Sequence, residues 1–265
     1  MAGDVEGTTM DNKLTRRDCI RAVALTAAPA LKTHAKPVGE AQRKKLRVVV
    51  VGAHPDDPES GAGGLIAKLT AAGHDVILAY TVCFRDERKI DGRPEAPVRR
   101  QEAAEAAKIL KAKTKFFPYD MAKFTADEPT FKEVCSWLNE VQPDIIVTHW
   151  PLDTHPNHHV TSSLVWQCFL RGTPWNLYFF EVMTGDQTLH FRPDLYLDIE
   201  DVREVKERAL DCHQSQDPNE IWEVHEKMHR RRGAECGVRY AEAYVLIKPK
   251  PNAALLPVEF LSSDR

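Results

Sequence analysis

The run RVVVV, residues 47 to 51, constrains the fold more than any other feature of this sequence. A continuous apolar run of that length, without polar alternation, marks a strand covered on both faces, the situation of a parallel sheet flanked by helices. It is followed by GGLIAKLTAAG (63 to 73), which reads as a helix ending at Gly73, and by DVILAYTV (75 to 82), a second strand. Strand, helix and strand in that order predict a parallel pair joined by a right-handed crossover.

The alternation continues to the C-terminus. PVRRQEAAEAAKILKAK (97 to 113) has helix-forming composition and apolar spacing of three and four, and TKFFPY (114 to 119) reads as a short strand. PTFKEVCSWLNEVQP (129 to 143) is a helix with Pro129 near its start and Pro143 as its stop, followed by the buried strand DIIVTHW (144 to 150). A helix near 158 to 170, strands at 175 to 182 and 194 to 199, helices across 201 to 214 and 219 to 235, and a strand at 241 to 247 complete the pattern. The predicted fold class is α/β: a Rossmann-like three-layer fold with a mostly parallel central sheet in a single domain.

The composition fits that class: 265 residues, 43% hydrophobic, formal net charge -3. Nucleic acid is not an expected partner, because phosphate contacts require clustered excess Lys and Arg. No apolar run approaches the ~20 residues of a membrane-spanning helix, so no membrane span is expected. A small-molecule partner is expected, and a homo-oligomer is compatible with the composition.

The N-terminus reads differently. LTRRDCIRAVALTAAPALKTHA (14 to 35) joins Arg16 and Arg17 to a weakly apolar, Ala-rich segment, so residues 1–35 are expected to be a twin-arginine-type export signal. Residues 36–46, KPVGEAQRKKL, read as a linker, and 47–265 as the folded domain. The expected location is therefore exported or periplasmic; a plain basic tail would leave the protein cytoplasmic. Six widely spaced cysteines with no Cys-x-x-Cys pair read as packing residues; removing the signal leaves five, which admits at most incomplete pairing.

Two strand ends carry unusual chemistry. After the first strand comes AHPDDPE, with His54, Asp56, Asp57 and Glu59; after DIIVTHW comes PLDTHPNHH, with His155, Asn157, His158 and His159. Parallel strands end on the same sheet edge, where α/β proteins bind ligands, so the two loops can meet. Burying such groups without partners is costly, and a divalent metal resolves the cost, since imidazole and carboxylate are good zinc ligands. His54 and Asp57 can point the same way and His158 can complete three ligands, leaving Asp56 beside the metal.

AHPDDPE followed by HPNHH resembles the paired motifs of the PIG-L/LmbE-like family of zinc-dependent N-acetylglucosamine deacetylases. The likeness runs from about residue 46 to the end and includes RRQEAAEAAKIL, CHQSQ (212 to 216) and YAEAY (240 to 244). The resemblance implies Zn2+, with Fe2+ as another admissible ion, on His54, Asp57 and His158. It further implies Asp56 as general base and His155 facing the oxyanion. Asn157 stands where the family often has Asp, which bears on how His155 is held, and Pro58 displaces the Glu that commonly follows Asp-Asp. Arg85 and Arg99 lie where relatives often keep arginine near the substrate. The implied reaction is hydrolysis of an acetamido group on an N-acetylglucosamine-like sugar. The alternatives are a zinc metalloprotease using HEKMH (225 to 229), which matches H-E-x-x-H, and a protein that binds metal or sugar without catalysis.

Overall fold

The computed structural model describes residues 45–85, 87–257 and 260. The expected export signal and most of the linker lie outside those residues. Leu46, assigned to the linker, is instead buried, with its N–H donated to His74 Nδ1.

Seven strands form one sheet: β1 (Arg47–Gly52), β2 (Asp75–Phe84), β5 (Lys113–Asp120), β6 (Ile145–His149), β7 (Asn176–Phe180), β8 (Leu195–Asp198) and β9 (Ala241–Ile247), in the order β5-β2-β1-β6-β7-β9-β8. The pairs from β5 through β7 are parallel, and β9 runs antiparallel to both β7 and β8. A two-residue hairpin, β3 (Lys89–Ile90) with β4 (Arg93–Pro94), lies outside it and was not anticipated. The chain builds outward from β1 through β2 to β5, then returns to place β6 on the other side of β1. That reversal is a topological switch point, and both motif-bearing loops leave from it.

The valine run explains the three layers. Val48 and Val50 face a cluster with Leu65, Ile66 and Leu69 of helix α1 (Asp57–Ala71) and Ala103 and Ala106 of α2 (Glu95–Ile109). Val49 and Val51 face the other cluster, with Val134 and Leu138 of α3 (Glu128–Val141) and Leu164 and Val165 of α4 (Pro156–Leu170). Alternate side chains of one strand thus fill both cores. Helices α5 (Arg203–Asp211) and α6 (Pro218–Cys236) follow later in the chain.

Two expectations change. Cys135 of α3 and Cys168 of α4 are joined by a disulfide rather than acting as separate packing residues, while Cys83, Cys212 and Cys236 are free. And α1 begins at Asp57, not at Gly63, with a break at Ala62 where φ is −139°. Glu242, the acid of YAEAY, holds that break: its carboxylate accepts the N–H groups of Gly64 at 2.7 Å and Leu65 at 2.8 Å. A Cβ at Gly64 would sit 2.4 Å from Ile199 Cγ2, so the close approach requires glycine.

Candidate metal-dependent active site

The loop after β1 turns sharply into α1. Asp56, the residue before the helix, has φ 119°, a region normally left to glycine and worth about 1–3 kcal/mol of strain. His54 N–H donates to Asp57 Oδ2 at 2.6 Å, and the buried Arg99 guanidinium donates to Pro55 O at 2.7 Å, which together close the turn. Pro58 sits in the first turn of the helix, where its missing N–H costs nothing. Glu59, displaced by Pro58, is buried: its Oε1 accepts the Tyr80 hydroxyl at 2.6 Å and lies 3.4 Å from His213 Nε2.

The loop after β6 meets this turn as expected. His54 Nδ1 lies 3.3 Å from Asp57 Oδ2, His158 Nε2 is 3.2 Å from Asp57 Oδ1, and His158 Nε2 is 3.3 Å from His54 Nδ1. Ligands about 2.0–2.1 Å from a tetrahedral zinc stand about 3.3–3.4 Å from one another, so the donor spacing suits such an ion. Among the described residues three overlapping metal-compatible groups occur, and His54, Asp57 and His158 each belong to two of them; Asp56, His149 and His155 belong to one each.

Burial and mutual charge perturb His54, Asp56, Asp57 and His158 alike. Burial alone would lower the His158 pKa, but Asp57 and Asp153 raise it to about 10. Burial would raise Asp57, yet the imidazoles of His158, His149 and His54 hold it well below the usual carboxylate range. For His54 burial outweighs the opposing pull of Asp57, and with the His158 and Arg99 charges it takes the pKa down to about 3. Asp56 behaves oppositely: burial, with help from Asp57 and against Arg99, lifts its carboxyl to about 7.

Supporting residues fix the ligands. Asp153 Oδ1 lies 3.2 Å from His158 Nδ1, the ring atom turned away from Asp57. His149, fully buried at the end of β6, places Nε2 3.1 Å from Asp57 Oδ2 and 3.0 Å from Ala53 N. Neither Asp153 nor His149 was singled out from the sequence, although a histidine ending a buried parallel strand and an aspartate five residues before His158 were visible signals.

Two assignments need correction. Asn157 does not hold the His155 ring through its side chain: its Nδ2 lies 3.1 Å from His54 Nε2, and only its backbone N–H donates to His155 Nδ1, at 3.3 Å. The loop's helical turn points the carboxamide inward. Arg99 lines the same cleft, buried, with its guanidinium on Pro55 O and 3.5 Å from Asp56 Oδ2, where it positions the Asp56 turn. The protease motif does not form a metal site. His229 Nε2 is 2.8 Å from the buried Lys206 ammonium, which repels a second cation, and Glu226 pairs with Arg203 and Arg230 instead. His159 is exposed, and Arg85 is exposed at the cleft.

His54, Asp56, Asp57, Arg85, His155 and His158 line one cleft of about 210 Å³. Two histidines and two aspartates at the switch point of an α/β sheet form a donor set that fits a metal-dependent hydrolase. Residues 49–169 match the family described as PIG-L, GlcNAc-PI de-N-acetylase. Diacetylchitobiose deacetylase of Thermococcus kodakarensis is 30% identical over 218 residues, covering 74% of this chain and 81% of the relative. The 4-oxalmesaconate hydratase of Pseudomonas putida is 28% identical over 213 residues, covering 71% and 80%. The solved N,N'-diacetylchitobiose deacetylase of Pyrococcus horikoshii, in complex with its inhibitor MPG, superposes with a TM-score of 0.65 at 25% identity, covering 77% of this chain and 84% of that one. The chain belongs to the PIG-L/LmbE-like family of metal-dependent deacetylases.

Proposed function

We propose that this chain is a zinc-dependent N-deacetylase that releases acetate from an N-acetylglucosamine-like sugar. The observation that carries the reading is Asp56, a half-buried carboxylate that lines the cleft beside His54, Asp57 and His158 and is not needed to complete a three-ligand site. A carboxylate so placed can take and return a proton. Zinc is proposed because two imidazoles and one carboxylate at this spacing form a three-ligand site of the kind that leaves a position open for water; the same set also admits Fe2+.

His54, Asp57 and His158 would hold the metal, which supplies a positive charge that acidifies water and polarises an amide carbonyl. Asp56 takes the proton of the attacking water, whose oxygen bonds to the acetyl carbon. His155 faces the same cleft, and its Nδ1 is occupied as acceptor from Asn157 N, which leaves Nε2 to donate toward the developing oxyanion. Asp56 then returns the proton to the leaving nitrogen as the C–N bond breaks, giving acetate and the free amine. A pure binding protein has no use for a strained, proton-accepting Asp56.

Acetate release from a panel of N-acetylated sugars by metal-loaded protein tests the reading. Release from an N-acetylglucosamine compound is expected. Addition of water to unsaturated acids with no acetate release would move the chain toward its hydratase relative. Export is proposed as well, supported by Arg16–Arg17 in the sequence and by the Cys135–Cys168 disulfide, a bond at home in oxidising compartments.

A further inference from the structure

His225 belongs to the wall of the active-site cleft, next to Ile221 and Gln216. His225 and Ile221 are four apart on α6, so they share one helix face. Farther along, that face buries Met228, His229 and Arg232 in the protein interior. His225 itself is shielded from solvent, yet both of its ring nitrogens lack a hydrogen-bond partner among the described residues. The neighbouring imidazoles have a charged group beside them, Lys206 at 2.8 Å from His229 Nε2 and Glu59 at 3.4 Å from His213 Nε2, although His213 too makes no hydrogen bond among the described residues. A buried imidazole with two unmet nitrogens is a standing cost to the fold. The cleft adjoins the ring, and the covered nitrogens meet a ligand there once the side chain turns toward it.

Resting on the deacetylase reading above, we infer that His225 is the residue through which the cleft recognises ring hydroxyls of the sugar that carries the acetamido group. A neutral imidazole offers one donor and one acceptor, the same pair a hydroxyl offers in return. The charged groups around it keep it neutral: burial first and the Lys206 ammonium second lower its pKa to about 3, against a weaker pull from Asp57. The same Lys206, fixed in place by Glu242, disfavours a cationic ligand group at this wall. His225 is thus a specificity residue, one that discriminates a hydroxylated ring from a bare one.

The test compares His225→Phe and His225→Asn with the wild type in the metal-loaded full chain. Three quantities are read: kcat/KM for acetate release from N-acetylglucosamine, the same for N-cyclohexylacetamide, whose ring bears no hydroxyls, and the calorimetric Kd for glucosamine. His225→Phe is expected to lose about 10–100-fold in kcat/KM on the sugar, mainly through KM, and to weaken glucosamine binding comparably. Turnover of N-cyclohexylacetamide is expected to stay unchanged. Thermal unfolding supplies a control that a merely structural histidine would fail: replacing an unpartnered imidazole by an apolar ring should leave Tm unchanged or raise it by about 2–4 °C. His225→Asn, which keeps a donor and an acceptor, should recover part of the sugar preference.

Equal loss on both acetamides, a lowered Tm with sugar binding intact, or no glucosamine binding by the wild type would each overturn the inference. Should the Phe variant not fold, the imidazole ¹⁵N shifts of His225 in the wild type on adding glucosamine decide the matter: movement supports contact, and none refutes it. Glucosamine binding that depends on His225, with no acetate released from any acetamide, would retain the sugar contact and discard the deacetylase reading alone.

Discussion

Asp153 Oδ1 sits 3.2 Å from His158 Nδ1, while the opposite nitrogen of the same ring lies 3.2 Å from Asp57 Oδ1. The imidazole is therefore held between two carboxylates, one buried behind it and one in the site. A proton kept on Nδ1 by Asp153 leaves Nε2 free as a metal ligand and fixes the ring plane.

Asp153→Asn is accordingly expected to weaken metal binding about 10–100-fold, the usual effect of removing such a support. Competition against a chromogenic chelator measures it. Because Asp153 also accepts from His155 N and Thr188 Oγ1, the conservative amide is preferred to alanine, which would loosen the whole loop. Metal affinity equal to wild type would show that the ring is held by packing alone.

Asn157 performs the equivalent service for His54. Its Nδ2 lies 3.1 Å from His54 Nε2; with His54 Nδ1 given to a metal, Nε2 would carry the proton and the carboxamide would turn over to accept it through its oxygen. Asn157→Asp, which supplies a charged acceptor, should match or tighten metal binding, and Asn157→Leu should weaken it about 10–100-fold. Identical affinities in the two variants would remove Asn157 from the support of the site.

Asp56 separates catalysis from binding. Asp56→Asn is expected to keep its metal and lose about 10²–10⁴-fold in turnover, because the positioned base is gone while His54, Asp57 and His158 remain. Metal analysis alongside acetate release reads both. His229→Ala offers the contrast, retaining metal, since that ring belongs to the Lys206 cluster and not to the site. Metal loss in His229→Ala would revive the HEKMH motif.

Much of this was legible in the sequence because it is local or periodic. The valine run, the helix formers of 97 to 113 and the proline stops of 129 to 143 placed the layers, and parallel strands ending together brought His54, Asp57 and His158 to one place. What stayed hidden depends on direction across the fold. Nothing in RRQE says that Arg99 turns inward to Pro55 O, and nothing in PNHH says that Asn157 reaches His54 rather than His155. His149 read as one more residue of a buried strand until the neighbouring strand placed Asp57 beside it. The pairing of Cys135 with Cys168 likewise follows from two helices lying side by side.

The last prediction concerns YAEAY, whose acid lies in the sheet and not in the site. Glu242 accepts from Gly64 N, Leu65 N, Lys206 Nζ at 2.6 Å and Tyr244 OH at 2.7 Å, so a single buried carboxylate meets four donors. Removing its charge strands the Lys206 ammonium, fully buried, with His229 as its remaining partner. Breaking one side of a buried pair typically costs 3–5 kcal/mol, and Glu242→Gln is expected to fall in about that range by urea unfolding. Lys206→Met in the same background removes the stranded charge and should return part of the loss, whereas Lys206→Met alone leaves Glu242 with its backbone donors and should cost less. Additive effects in this cycle would mean that Glu242 acts chiefly on the α1 break. A coupling of about 1 kcal/mol or more would mean that the ion pair and the break form one unit, fixing the helix whose first residue is Asp57.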